Sequence, residues 1–158
     1  MTHVVETLIF QKGVNVTHLV ETRGNIFLHC PPHIHLAHTI SADYYMKKGI
    51  ARTFRLKYGN VPFLRAQTQS IGQCSILNHN GRYIFYMLTK GRFFEKPSYL
   101  SVSTALQSLR RHMENLGLSQ VAMPKIASGL DKLEWTQVRR IIIRTFAGSN
   151  IKVHVYYL

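Results

Sequence analysis

Val121-Ala122-Met123-Pro124-Lys125-Ile126-Ala127-Ser128-Gly129-Leu130-Asp131, followed by Lys132-Leu133-Glu134-Trp135, decides the fold. Val121 to Met123 is a short apolar run, and Pro124 stops it by withholding a ladder donor. Beyond a loop of small residues, Trp135, Val138, Ile142 and Phe146 recur at helical spacing over 134–146, while Arg139, Arg140 and Arg144 lie largely off that stripe. Strand, small-residue loop and amphipathic helix make one unit of a layered α/β domain. Such a loop, beside a helix start, can offer several backbone N–H groups to an anion.

The same alternation extends in both directions. Val4 to Phe10 and Val16 to Thr22 are rich in β-branched residues, and His33 to Ile40 places Ile34, Leu36 and Ile40 on one parity. Gly72 to Asn78 and Arg82 to Thr89 flank Asn80-Gly81, a strong hairpin signal. Residues 49–58 read as a helix ending at Gly59. Residues 99–116 read as another, with Val102, Ala105, Leu106, Leu109, Met113 and Leu116 on one stripe and Gly117 after it. Ile151 to Tyr157 closes the chain as a strand. Strands alternating with helices predict an α/β domain around a largely buried mixed sheet. Its ligand would sit at loops leaving strand ends, here 41–49, 90–98 and 124–132.

The chain has 158 residues, 46% of them hydrophobic, which excludes a disordered basic tail and suits a single domain over 1–158. Twenty Lys+Arg against seven Asp+Glu give a formal charge of +13, and the excess comes from missing acids more than from abundant bases. Such a surface attracts phosphates, in a nucleotide or in nucleic acid. Cys30 and Cys74 read as free thiols of a reducing compartment. The start, Met1 to Glu6, has no basic region leading into an apolar stretch, and no run reaches the length of a membrane span. An intracellular protein, nuclear or cytoplasmic, monomeric and off the membrane, is expected.

Three groups of residues could carry chemistry. His29, Cys30, His33, His35 and His38 are dense, but their spacing fits no zinc signature and strand geometry sends His33 and His35 to one face and His38 to the other. No metal and no cofactor is expected. Asp131 is one of two aspartates, with Asp43; it reads either as a cap for the helix that follows or as a base beside an ammonium group. Lys90, where the apolar run Tyr83 to Leu88 ends, reads either as a solvated lysine or as a nucleophile, since a neutral lysine amine attacks carbonyl or anomeric carbon.

In order along the chain, Arg23-Gly24-Asn25-Ile26-Phe27, Leu36-Ala37-His38-Thr39-Ile40-Ser41, Met46-Lys47-Lys48-Gly49-Ile50-Ala51, Leu88-Thr89-Lys90, Lys96-Pro97-Ser98-Tyr99, Met123-Pro124-Lys125-Ile126, Ser128-Gly129-Leu130-Asp131 and Val155-Tyr156-Tyr157-Leu158 resemble the macro domains, in particular the small ADP-ribose deacylases of the terminal ADP-ribose protein glycohydrolase type. The resemblance covers 16–158. It implies a three-layer α/β sandwich, with helices on both faces of a mixed, mostly buried central sheet. It also implies a hydrolase that removes ADP-ribose esterified to acidic side chains and deacylates O-acyl-ADP-ribose, with ADP-ribose and ADP-ribosylated proteins as partners.

By that resemblance Lys90 is the nucleophile that forms an adduct with the distal ribose, and Asp131 is the base that also resolves it. Lys125, Ile126, Ala127, Ser128, Gly129 and Leu130 hold the diphosphate. Ser41, Lys47, Lys48, Gly49, Ile26 and Thr89 line the cleft, and Asn25, Tyr156 and Leu158 lie toward adenine and its ribose. Asn25 stands where the family has aspartate, keeping an acceptor but not its charge. Lys47-Lys48-Gly49 replaces Gly-Ala-Gly, and Ala127 replaces glycine, at a cost of about 1 kcal/mol if its φ is positive. These substitutions keep a non-enzymatic ADP-ribose reader as the alternative, and charge alone suggests a nucleic-acid-binding module. The excess cations Arg110, Arg111, Arg139, Arg140 and Arg144 fall on helices away from the candidate loops, where poly-ADP-ribose or nucleic acid is the expected partner.

Overall fold

A computed structural model describes residues 4–11 and 14–158; Met1 to His3, on which the leader reading partly rests, and residues 12–13 of the expected domain lie outside them. The chain runs β1 (Val4–Gln11), β2 (Val14–Arg23), α1 (Ile26–His29), β3 (His35–Ser41), α2 (Gly49–Tyr58), α3 (Val61–Arg65), β4 (Cys74–His79), β5 (Arg82–Lys90), α4 (Tyr99–Leu116), β6 (Gln120–Pro124), α5 (Trp135–Phe146) and β7 (Lys152–Tyr157). The strands form one mixed sheet in the order β1-β2-β7-β6-β3-β5-β4. Its five inner strands are mutually parallel, and β1 and β4 pair antiparallel at the two edges.

Strand parity sorts side chains into two cores. Phe85 and Met87 of β5, Val121 and Met123 of β6, and Val153 and Val155 of β7 face α4 and α5. Ile84, Tyr86 and Leu88, with Leu36 and Ile40 of β3, face α1, α2 and α3. Helices on both faces make the three-layer sandwich that the sequence implies. The short apolar runs are strands covered on both sides, which is why they read as continuous rather than alternating.

Local chemistry sets most element ends. Asn80 (φ 53) and Gly81 (φ 90) both take the left-handed conformation that a tight hairpin between β4 and β5 requires. Ser98 and Ser101 form a reciprocal capping box at the start of α4, and Gly117 closes that helix at φ 70. β3 begins at His35 rather than His33, because Ile34 N–H is turned back to the Pro31 carbonyl at 3.1 Å. Helices α1 and α3, of four and five residues, carry too little periodicity to be legible in the sequence.

Three of the four histidines in the cluster are spent on packing and local hydrogen bonds, and His33 is exposed. Among the described residues no three His, Cys, Asp or Glu side chains converge as a metal site. His35 Nδ1 accepts from Tyr83 N–H at 2.9 Å, and His29 Nδ1 from Asn25 N–H at 2.8 Å. His38 is fully buried, its ring stacked on Phe54 at 3.8 Å with neither nitrogen partnered. That burial pushes its pKa from 6.5 down to about 3. The unfolded chain therefore takes up a proton below pH 6.5 that the folded chain refuses. Stability contributed by the neutral ring is complete above that pH and is lost, at roughly 1.4 kcal/mol per unit, as pH falls toward 3. Thermal melts between pH 7 and 4 should show a shallower acid decline for His38→Phe, by about one proton. His35, His112 and His154, also lowered by burial, keep part of the slope in the variant. Parallel curves for parent and variant would rule His38 out as a titrating group.

Candidate functional site

Because β3, β5 and β6 run parallel, their C-terminal ends open at one edge of the sheet, and the loops leaving them surround a cleft of about 830 Å³. Lys90 is the last residue of β5. Its carbonyl accepts from Ala42 N–H at 2.8 Å, so its backbone stays locked to the chain leaving β3. The hydroxyl of Ser101 donates to the Thr89 carbonyl at 2.6 Å and ties the start of α4 to the same point. The Lys90 side chain reaches across the cleft, and its Nζ donates to Asp131 Oδ1 at 2.6 Å. Both side chains are mostly covered, at 14% and 17% exposure, so the pair is shielded from bulk screening yet reachable from the cleft. Asp131 does not cap the helix that follows; α5 begins at Trp135, with Glu134 in the cap position.

Asp131 belongs to the β6–α5 loop, whose residues 125–127 and 129–132 line the cleft. None of the N–H groups of residues 126–131 donates to an acceptor among the described residues, whereas Lys132 and Leu133 N–H close the loop on the carbonyls of Gly129 and Ala127. A run of unspent donors beside a cleft is able to receive an anion. Ala127 adopts φ 58 to make it and is buried against the core below. Lys125 Nζ is held 4.5 Å from the Tyr157 ring and 5.7 Å from that of Trp135.

The facing wall is the loop after β3. Tyr44 and Met46, both at positive φ, turn inward and are buried, and Tyr44 Oη meets Ser75 Oγ at 2.5 Å. Tyr45, Lys47 and Lys48 therefore point out. Asp43 organises the turn: its carboxylate accepts from the Ser41 hydroxyl at 2.5 Å, from Tyr45 N–H at 3.2 Å and, across the cleft mouth, from Phe93 N–H at 3.0 Å. Burial raises its pKa, but these donors outweigh that and hold the carboxyl below the usual range. The Arg65 guanidinium donates to the Asp43 carbonyl. Gly49 closes the wall at φ +59, where a Cβ would stand 3.0 Å from Leu130 Cδ1 of the opposite loop.

The cleft gathers Ser41, Lys47, Lys48, Gly49, Lys90, Lys125, Ile126, Ala127, Gly129, Leu130 and Asp131 from the residues singled out in the sequence. Ser128 turns its hydroxyl to the Ile126 carbonyl at 3.0 Å, and Thr89 and Ile26 are buried behind the wall. Asn25 uses its side-chain oxygen to cap α1, accepting from Phe27 N–H at 2.9 Å. Asn25, Tyr156 and Leu158 cluster instead at the adjoining ends of β2 and β7, joined by Gly24 N–H to the Tyr157 carbonyl at 2.7 Å. Tyr45, Phe93 and Phe94 also line the cleft and were not singled out; aromatic residues in the loops after β3 and β5 were the available signal.

No family model matches the chain. It is 37% identical over 147 residues to the human protein named ADP-ribose glycohydrolase OARD1, covering 93% of this chain and 94% of that one. Among solved structures, the macrodomain of Thermus aquaticus DarG superposes with a TM-score of 0.78 at 24% identity, over 89% of this chain and 98% of that one. Thermosipho africanus DarTG, determined in complex with ADP-ribose, gives 0.77 at 17% identity over 88% of this chain and 41% of that one. At those identities the two structures speak for the fold.

Ala127 offers a test of the loop. Relief of its positive φ by glycine is worth about 1 kcal/mol, and loss of its buried methyl costs about 0.8 kcal/mol. Ala127→Gly should therefore melt within about 3 °C of the parent, whereas Ala127→Val, β-branched and overpacked, should melt at least about 5 °C lower in the same calorimetric scan.

Proposed function

This chain belongs to the macrodomain family of ADP-ribose glycohydrolases and is an ADP-ribose-binding hydrolase, and we propose that it cleaves the ester between the distal ribose of ADP-ribose and an acidic side chain with Lys90 as nucleophile and Asp131 as base. The observation that supports this assignment above any other is the 2.6 Å contact between Lys90 Nζ and Asp131 Oδ1 at a cleft whose 126–131 backbone donors are unspent.

The diphosphate suits those donors, and anchoring it there brings the distal ribose to Lys90. Orientation of this kind is the main demand of the reaction, because the leaving carboxylate is stable as an anion and needs little acid assistance. In the first half, Asp131 takes a proton from the Lys90 ammonium. The neutral amine forms a bond to C1″ of the ribose, and the C1″–O bond to the substrate carboxylate breaks with its electrons leaving on oxygen. Asp131 gives that first proton up to solvent before the second half. There water attacks C1″ as Asp131 accepts its proton, the C–N bond breaks with its electrons returning to nitrogen, Asp131 passes the proton to the Lys90 amine, and ADP-ribose departs. The same anchored ribose presents the ester of an O-acyl-ADP-ribose to hydrolysis. Asn25, Tyr156 and Leu158, at the adjoining ends of β2 and β7, take the adenosine end.

A second partner is proposed for the opposite end of the charge distribution. A groove of about 330 Å³ between α4 and α5 is lined by Arg110, Arg111 and Arg144. Arg110 is occupied by Glu114 and by the carbonyls of Thr145 and Ala147, which leaves exposed Arg111 and Arg144 to meet a polyanion such as poly-ADP-ribose or nucleic acid.

Lys90→Ala should lower release of ADP-ribose from a glutamate-modified protein by at least about 10³-fold, the scale of losing a nucleophile, with the melting profile retained. A variant as active as the parent would refute the lysine mechanism. Asp131→Ala should slow both halves but the second more, because the amine can lose its proton to solvent beforehand whereas the attacking water needs a base. Intact mass after prolonged exposure to substrate should therefore show one added ADP-ribosyl unit, mapping to Lys90. For the groove, Arg111→Glu/Arg144→Glu should flatten the salt dependence of polyanion binding while leaving ester hydrolysis intact.

A further inference from the structure

The rim of the cleft carries a concentration of positive charge that the nucleotide does not account for. Lys47 and Lys48 stand on the β3 side, Lys96 on the β5–α4 loop and Lys132 just past Asp131. All four are exposed and line the cleft. Among the described residues none of them pairs with a carboxylate; the ion pairs are Lys90–Asp131, Arg110–Glu114 and Arg139–Glu21. The carboxylates nearby keep their charge but do not pair with these lysines. Asp43 is engaged by Ser41, Tyr45 and Phe93, Glu95, which lines the cleft, accepts from Arg92 N–H at 2.6 Å, and Glu134 is exposed beyond Lys132, so the lysines outnumber the acids at the opening. Lys47 is also held in place, its Nζ 5.5 Å over the Tyr45 ring, which stacks on Phe93 at 3.8 Å. Four unpaired lysines around one opening repel one another, and they are relieved by an anion that reaches all of them.

A diphosphate seated on the 126–131 backbone lies along one wall and does not surround the opening. What passes through the mouth beside Lys90 is the acyl side of the substrate, the polypeptide that carries the ester. We propose that the Lys47, Lys48, Lys96 and Lys132 rim is a specificity site for acidic polypeptide, so that the enzyme prefers ADP-ribosyl esters on glutamate or aspartate flanked by further acidic residues. This inference rests on the hydrolase reading above and deepens it. The rim lysines are solvent-exposed, so each contact with a flanking carboxylate is modest, and two or three together amount to about 5- to 20-fold in kcat/KM. Because the charges act on encounter and binding rather than on the breaking bond, the preference belongs in KM and fades with salt.

The test uses two synthetic peptides bearing one ADP-ribosyl glutamate, flanked in one by aspartate and glutamate and in the other by asparagine and glutamine, with O-acetyl-ADP-ribose as a substrate that has no peptide. The parent should favour the acidic peptide by about 5- to 20-fold at low salt, with equal kcat, and the ratio should fall toward one near 0.5 M salt. In Lys47→Gln/Lys48→Gln, and separately in Lys96→Gln/Lys132→Gln, the ratio between the two peptides should shrink. If the parent treats both peptides alike while hydrolysing O-acetyl-ADP-ribose, the specificity site is wrong and the hydrolase reading stands. If the variants lose both peptides and O-acetyl-ADP-ribose to the same extent, the lysines serve the diphosphate and the inference is overturned. If the parent turns over none of the three substrates, the hydrolase reading itself fails, and the inference with it.

Discussion

The central strands are buried on both faces, and that one constraint governs where anything else can happen. Ile84, Phe85, Tyr86, Met87 and Leu88 are consecutive and completely inaccessible. Each such side chain stabilises the fold by about 1.5–3 kcal/mol relative to exposure, and the backbone between them has no partner except the neighbouring strands. A sheet clothed this way has no free face for a ligand. Only its ends are open, and because the inner strands are parallel, their C-terminal ends open together. Lys90 stands where the apolar run stops, on a strand held rigid to its last residue, so the proposed nucleophile starts from a fixed backbone.

The two loops that face each other across the cleft are shaped by different means. After β3, buried Tyr44 and Met46 act as pegs, and Asp43 gathers donors from its own turn and from Phe93 across the mouth. After β6, the chain is bent by the positive φ of Ala127 and closed by Leu133 N–H on its carbonyl, which leaves a stretch of donors with nothing to bind inside the protein. Backbone strain and donors without an internal partner are both unfavourable to the fold on its own, and a bound anion would offset both.

The shortage of acids takes on a more definite meaning in three dimensions. Glu21 holds Trp135 and Arg139, Asp43 organises the cleft mouth, Glu95 closes its own turn, Glu114 steadies Arg110, and Asp131 meets Lys90. With so few carboxylates and most of them engaged locally, the remaining cations at the cleft rim and along α4 and α5 are left facing outward.

The sequence by itself determined what depends on neighbours along the chain. Periodicity marked α4 and α5, Asn80-Gly81 marked the hairpin, glycines marked helix ends, and the end of the β5 run marked Lys90. The two aspartates were visible as exceptional; the residues alone left Asp131 between a helix cap and a base, the family resemblance assigned it the base, and only the structure sets it against a lysine 41 residues away. The Tyr45–Phe93 stack, the diversion of Asn25 to capping α1, and the short helices α1 and α3 were likewise beyond reach. Side-chain spacing is governed by local φ/ψ preferences, and so it is written locally. Which side chains meet across a cleft depends on strand order and on the turns after β3 and β6, and those are settled only when both faces of the sheet have been packed.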